Sequence, residues 1–221
     1  MPSIASEGHL PIIICACIAA AGGVGVGLFW WLPGAIALLT VAYLFRVPST
    51  IQPDSPLAVV SPLGGEVLEV GPTYDPWLRR NAIRIAIAVP MPGVGVIFNP
   101  VSGKIAQHWT DLPILSQVDV PQSDVEEWFE TLLESPSRYV QAIFTDTDDE
   151  VVYAVSSARR HSRLKFDQAP GEWAARCRRS GFVFGASRVD LLLPSNASPR
   201  VEVGDTVGAG SSIVADLFHD L

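Results

Sequence analysis

Ala82-Ile83-Arg84-Ile85-Ala86-Ile87-Ala88-Val89 is the stretch that decides the fold class. Isoleucine occupies every second position through its centre, and period-two alternation rich in β-branched residues marks a strand. Similar short runs lie on either side. Ala58-Val59-Val60 and Glu66-Val67-Leu68-Glu69-Val70 precede it. Val94 to Phe98, Ala142 to Thr145, Val151 to Val155, Phe182 to Phe184 and Val189 to Leu193 follow it. The pattern predicts a mainly β (α+β) domain. It contains one clear amphipathic helix: Ser123 is a candidate N-cap and Glu126 completes a capping box. Val125, Trp128, Phe129, Leu132 and Leu133 then follow helical spacing.

The N-terminus has a different character. No formally charged side chain lies between Glu7 and Arg46, and Leu10 to Phe45 is almost wholly apolar. Such a run reads as membrane-embedded. As one straight helix it would far exceed a hydrocarbon core of roughly 30 Å. Trp30-Trp31-Leu32-Pro33-Gly34 is the expected break, since Pro and Gly end helices and Trp favours the interface. The expected element is a membrane helical hairpin, Leu10 to Phe29 and Gly34 to Phe45. Full crossing and a shallow re-entrant path both stay open. Residues 1–9 carry no Lys or Arg, which argues against a cleaved signal peptide. All Lys and Arg lie from Arg46 onward, an arrangement that favours the cytoplasmic side for the following domain. The expected organisation is an anchor over 1–46, a Pro-containing linker over 47–57 and a β domain over 58–221.

The chain has 221 residues and a formal net charge of −8, which excludes generic nucleic-acid binding. Of its three cysteines, Cys15 and Cys17 lie in the apolar run and Cys177 stands alone, so there is no disulfide framework and no metal-site pattern. Arg159, Arg160, Arg163, Lys165, Arg176, Arg178 and Arg179 cluster in an otherwise acidic domain. Two readings stay open: a solvated surface, or a patch facing anionic phospholipid headgroups through Arg159, Arg160, Arg163 and Arg178.

Pro62-Leu63-Gly64-Gly65-Glu66-Val67 and Pro100-Val101-Ser102-Gly103-Lys104-Ile105 form a weak internal repeat, each a turn feeding a strand. Val201 to Gly210, then Ile213 to Leu217, resemble the closing hairpin of biotinyl/lipoyl-type barrel-sandwich domains, without the carrier lysine motif.

These pieces combine in a fixed order. Tyr43-Leu44-Phe45-Arg46-Val47-Pro48 follows the apolar run. Val60-Ser61-Pro62-Leu63-Gly64-Gly65, Asn99-Pro100-Val101-Ser102-Gly103-Lys104-Ile105 and Ala158-Arg159-Arg160 come next. Gly185-Ala186-Ser187-Arg188-Val189-Asp190-Leu191-Leu192-Leu193-Pro194 precedes the glycine hairpin. The order resembles the phosphatidylserine decarboxylase family of the short bacterial membrane type. The similarity spans nearly the whole chain and is weakest between Ala106 and Glu150. It implies a barrel-sandwich-like β core and a role in phosphatidylethanolamine synthesis. It also implies a proenzyme that cuts itself before an internal serine, which becomes a pyruvoyl group. That carbonyl forms a Schiff base with the substrate amine and accepts electrons as carbon dioxide leaves. The resemblance assigns the serine to Ser187 and the preceding residue to Ala186. It places the family's histidine at Gly95 and the aspartate that orients it at Gly64.

Self-cleavage needs a base to take the serine proton. Neither Gly64 nor Gly95 supplies one. Ala186 replaces a glycine and is expected to slow cleavage by removing φ > 0 freedom. His9, His108, His161 and His219 read as ordinary histidines, Asp190 as structural, and Gly210-Ser211-Ser212 as a plain turn. Three functions stay open: a catalytically degenerate, lipid- or partner-binding pseudoenzyme; an active decarboxylase cleaving at Ala186-Ser187; and a membrane adaptor with a lipoyl-like core. A pyruvoyl cofactor is expected only if Ser187 is processed, and homo- or hetero-oligomerisation stays open.

Overall fold

The computed structural model describes residues 5–25, 31–47, 50, 52–109, 137–157 and 163–217. They belong to two compact units, Met1–Ser49 and Thr50–Leu221. The helix expected from Ser123 lies outside the described residues.

The first unit holds a 3-10 turn, Ser6–Gly8, and two helices, α1 (His9–Gly25) and α2 (Trp31–Leu44). The second arm therefore begins earlier than expected. Pro33 sits in the first turn of α2, where its lost N–H has no intrahelical acceptor to miss, so it starts the helix rather than breaking it. The helices touch through small residues: a Cβ on Gly34 would come 2.6 Å from the Ala19 Cβ. Ala5 N–H donates to the Phe45 carbonyl at 2.9 Å and ties the two ends together. Leu10, Ile13, Ile18, Leu32, Ile36 and Leu39 are exposed on this pair. At about 1.5 Å per residue, α1 is about 25 Å long and α2 about 21 Å. Among the described residues, no helix is long and apolar enough to cross a membrane, so a membrane-spanning hairpin is not supported.

Among the described residues, the regular elements of the second unit are all β-strands. In chain order its strands are β1 (Ala58–Val60), β2 (Gly65–Asp75), β3 (Arg80–Ala88), β4 (Val94–Phe98) and β5 (Gly103–Trp109). Next come β6 (Ser137–Phe144), β7 (Glu150–Ser157), β8 (Arg163–Phe166), β9 (Trp173–Ala174) and β10 (Arg179–Phe184). The last are β11 (Arg188–Pro194), β12 (Ser198–Pro199), β13 (Thr206–Val207) and β14 (Ile213–Asp216). An eight-stranded antiparallel sheet runs β13-β2-β3-β11-β7-β6-β5-β9. Two three-stranded sheets, β4-β10-β8 and β1-β14-β12, accompany it. One core joins all three through residues such as Ile87, Val155, Val189, Ile97, Val183, Val59 and Val214.

The deciding strand, β3, lies inside the large sheet and is buried on both faces. Ile85 and Ile87 enter the main core, while Ala82 joins a second cluster with Trp77, Val152, Ala154 and Leu192. Arg84 faces that second side and is only 2% exposed. A buried guanidinium needs partners; Asp190 supplies one at 2.9 Å and Glu69 another at 3.2 Å.

The internal repeat is structural. Val60 N–H donates to the Pro100 carbonyl at 2.9 Å, and Phe98 N–H donates to the Pro62 carbonyl at 3.0 Å. Each turn ends on a glycine that opens a strand, Gly65 for β2 and Gly103 for β5. A Cβ on Gly65 would fall on the Ala88 carbonyl oxygen and within 2.8 Å of Ile87 Cγ2. On Gly103 it would fall on the Phe144 carbonyl oxygen and within 2.8 Å of Ile143 Cγ2. Both strands then carry a bulge, between Val67 and Glu69 and between Ile105 and Gln107.

The closing segment differs from expectation. β13 pairs with β2, whereas β14 pairs with β1 and β12, so the glycine turn carries the chain between sheets instead of closing a hairpin. Gly210-Ser211-Ser212 is strapped to the repeat: Gly210 N–H donates to the Ser61 carbonyl at 2.8 Å, and Ser61 N–H to the Ser212 carbonyl at 3.0 Å.

Candidate functional site

Ser187 lies between β10 and β11, in a turn fixed from three directions. Its N–H donates to the Ser156 carbonyl at 3.0 Å and its hydroxyl to the same carbonyl at 3.3 Å. The Ser157 hydroxyl donates to the Gly185 carbonyl. Gly185 N–H and Ala186 N–H both donate to the Gly93 carbonyl at 2.9 Å. Gly93 is buried with φ +67, and a Cβ there would fall on the Ala186 carbonyl oxygen and 2.7 Å from the Ala186 nitrogen. The backbone before β4 therefore lies flat against the peptide preceding Ser187, an approach that only glycine permits. The Pro92-Gly93 dipeptide signals a turn in the sequence, but nothing in it names the partner.

Ala186 does not need the φ > 0 freedom that glycine would give. The left-handed residue is Gly185, φ +89, and Ala186 is not among the non-glycine residues with positive φ. Its buried methyl joins the main core, so alanine there carries no backbone penalty.

Gly95, on β4, pairs with Val183 of β10. Among the described residues, a Cβ on it would meet the Leu63 side chain, at 3.5 Å. Leu63, Val183 and Ala186 share the main core. A side chain at Gly95 would therefore point toward Leu63 of the main core. Gly64 is half-buried beside the closing turn, and its Cβ would lie 3.4 Å from Ala209 N and Val207 O. These are ordinary contacts, and neither glycine has the positive φ that would strain a side chain. Among the described residues, the fold leaves room for a Cβ at both positions.

Asp190 lies on the strand that follows Ser187 but serves the opposite face of the sheet. Its Oδ1 accepts from Arg84 Nε at 2.9 Å and from Arg188 Nε at 3.0 Å. Burial pushes its carboxyl up to about 6, against the pull of Arg84. His108, on β5, is held edge-on to Tyr139 with ring centroids 5.0 Å apart, and burial pushes its imidazole down.

The basic cluster divides. Arg159 and Arg160 lie outside the described residues. Arg176 is buried and structural: Nη1 donates to the carbonyls of Ser55, Pro56 and Ala58 at 2.6, 3.2 and 2.8 Å, and Nη2 to that of Pro53 at 2.9 Å. It pins the segment before β1 to the domain, a role that charge spacing does not reveal. Arg179 and Lys165 both pair with Asp167. Arg163 and Arg178 are exposed. Among the described residues there is no group of side chains that could hold a metal ion.

The chain matches curated relatives along nearly its full length. A phosphatidylserine decarboxylase proenzyme from Cupriavidus taiwanensis is 31% identical, over 98% of this chain and 96% of the relative. One from Paraburkholderia xenovorans is 31% identical, over 98% of both. One from Aromatoleum aromaticum is 28% identical, over 98% and 96%. No family model and no solved structure matches. A repeat-built β core with a serine turn at its end, and relatives of that name over almost every residue, lead to one assignment: the chain belongs to the phosphatidylserine decarboxylase family.

Proposed function

We propose that this chain acts in phospholipid metabolism as a membrane-associated member of its family that no longer forms a pyruvoyl group, and that it binds phospholipid or a protein partner at a bilayer. One observation carries the reading: the family's aspartate and histidine positions are Gly64 and Gly95, although each backbone has room for a Cβ. Contacts among the described residues do not require glycine at either place, which supports loss of the acid-base pair.

A pyruvoyl group would supply an electron sink for decarboxylation. The described residues do not favour its formation, and His161 lies outside them. Ser187 Oγ donates to a peptide carbonyl, which accepts a hydrogen bond but does not take the proton. The nearby carboxylate of Asp190 is engaged by two arginines on the other face of the sheet.

Membrane association rests on α1 and α2, whose exposed leucines and isoleucines suit lipid better than water. Their lengths favour a shallow re-entrant or interfacial pair over a full crossing. The position of Arg46 after the apolar pair favours a cytoplasmic domain at a bacterial inner membrane. Arg163 and Arg178 are the described candidates for anionic headgroups.

An active decarboxylase cleaving at Ala186-Ser187 is the second reading. The intact turn favours it, since Gly185 still supplies the left-handed residue. Intact mass of the purified full chain separates the two. A single uncut chain is the expected result, and a fragment starting at Ser187 overturns the first reading.

A further inference from the structure

We infer that the turn before β4, together with the outer face of the β4-β10-β8 sheet, inserts side chains into the interfacial layer of an anionic phospholipid bilayer. The inference rests on the membrane reading above and adds a second contact, located on the β unit. Pro90-Met91-Pro92-Gly93 is closed by a hydrogen bond from Gly93 N–H to the Pro90 carbonyl at 2.9 Å. Gly93 is in turn locked to the Gly185-Ala186 backbone. The turn is therefore held from both sides, and Met91 at its tip is 79% exposed between two exposed prolines.

The patch continues along the sheet. Val94 of β4, Phe184 of β10 and Arg163 of β8 are partners in register and stand in one row across three strands. Val94 is half-buried, Phe184 is 40% exposed and Arg163 is exposed. A lone exposed apolar residue needs no explanation. A methionine on a fixed turn, an adjoining phenylalanine and an arginine beside them make a patterned surface. Its chemistry selects the occupant. The apolar part is a few side chains, far below the roughly 800 Å² per partner of a stable protein interface. It matches the shallow insertion that membrane-surface elements make. The arginine sits at the edge of the apolar row on a chain of net charge −8, so it suits anionic headgroups locally while the bulk of the domain does not.

Methyl labelling tests this directly, because the chain has two methionines, Met1 and Met91. The full chain, labelled at the methionine methyl carbon, is reconstituted in nanodiscs of phosphatidylcholine and phosphatidylglycerol. Met91→Leu assigns the signal. The expected result is several-fold stronger broadening of the Met91 methyl by lipid doxyl-labelled near the headgroup than by an aqueous gadolinium chelate. Arg163→Glu should weaken the lipid effect. Broadening by the chelate alone, with the chain still in the disc, overturns the insertion and leaves the membrane reading standing. A chain that does not enter the disc overturns both.

Discussion

The turns Pro62–Gly65 and Pro100–Gly103 are built alike and bonded to each other, yet they differ at the residue before the final glycine. The second turn carries Ser102, whose hydroxyl accepts from Arg176 N–H at 3.1 Å. The first carries Gly64, which contributes no side chain although a Cβ would make only ordinary contacts with the described residues. Gly65 and Gly103 are dictated by the fold, because a neighbouring backbone oxygen occupies the place of a Cβ. Gly64 and Gly95 are not. The presence of glycine is therefore not one phenomenon in this protein, and only the second kind speaks about lost chemistry.

The strongest attack on that distinction is Gly65→Ala or Gly103→Ala. Each should destabilise the chain by about 3 kcal/mol, the upper part of the range for overpacking, read as a lowered denaturant midpoint. A change of only a few tenths would mean that both sets of glycines are equally dispensable.

A smaller effect comes from the sheet face that kept its charges. Burial raises the Asp190 carboxyl from its ordinary 3.8 to about 6. The folded chain then holds this proton more tightly than the unfolded one, so this group lowers stability as pH rises from about 4 to 6. Asp190→Asn cannot ionise. Its stability relative to the natural chain should therefore improve between pH 4 and pH 7, compared by urea midpoints at each pH. A gap that does not change with pH would contradict the assignment.

The smallest effect has the opposite sign to the first. Gly64→Ala and Gly95→Ala should leave stability unchanged or raise it by about 0.4–1 kcal/mol, since alanine restricts the unfolded chain and meets no obstruction. Clear destabilisation by either would show that the fold does require glycine there, and would remove the main support for lost chemistry.

Much of this was legible in the sequence. The alternating run from Ala82 falls in β3 as far as Ala88, one residue short of its end, and the paired Pro-x-x-Gly turns each open a strand, because both signals are local. What was not legible depends on distant partners. Arg163-Leu164-Lys165-Phe166 alternates as a strand does, yet its charges read first as surface. Arg176 reads as one more surface cation until four carbonyls are found around it. Gly93 looks like any turn glycine until Ala186 lies against it. The closing glycines signal a turn but cannot say that its two arms belong to different sheets.

The covalent state of residue 187 separates lost chemistry from retained chemistry. Intact-mass and fragment analysis of the purified full chain, after treatment with a carbonyl-reactive hydrazide, reads that state directly. The prediction is one continuous chain with no hydrazide adduct at position 187. A C-terminal fragment whose first residue is a keto group in place of Ser187 would contradict it.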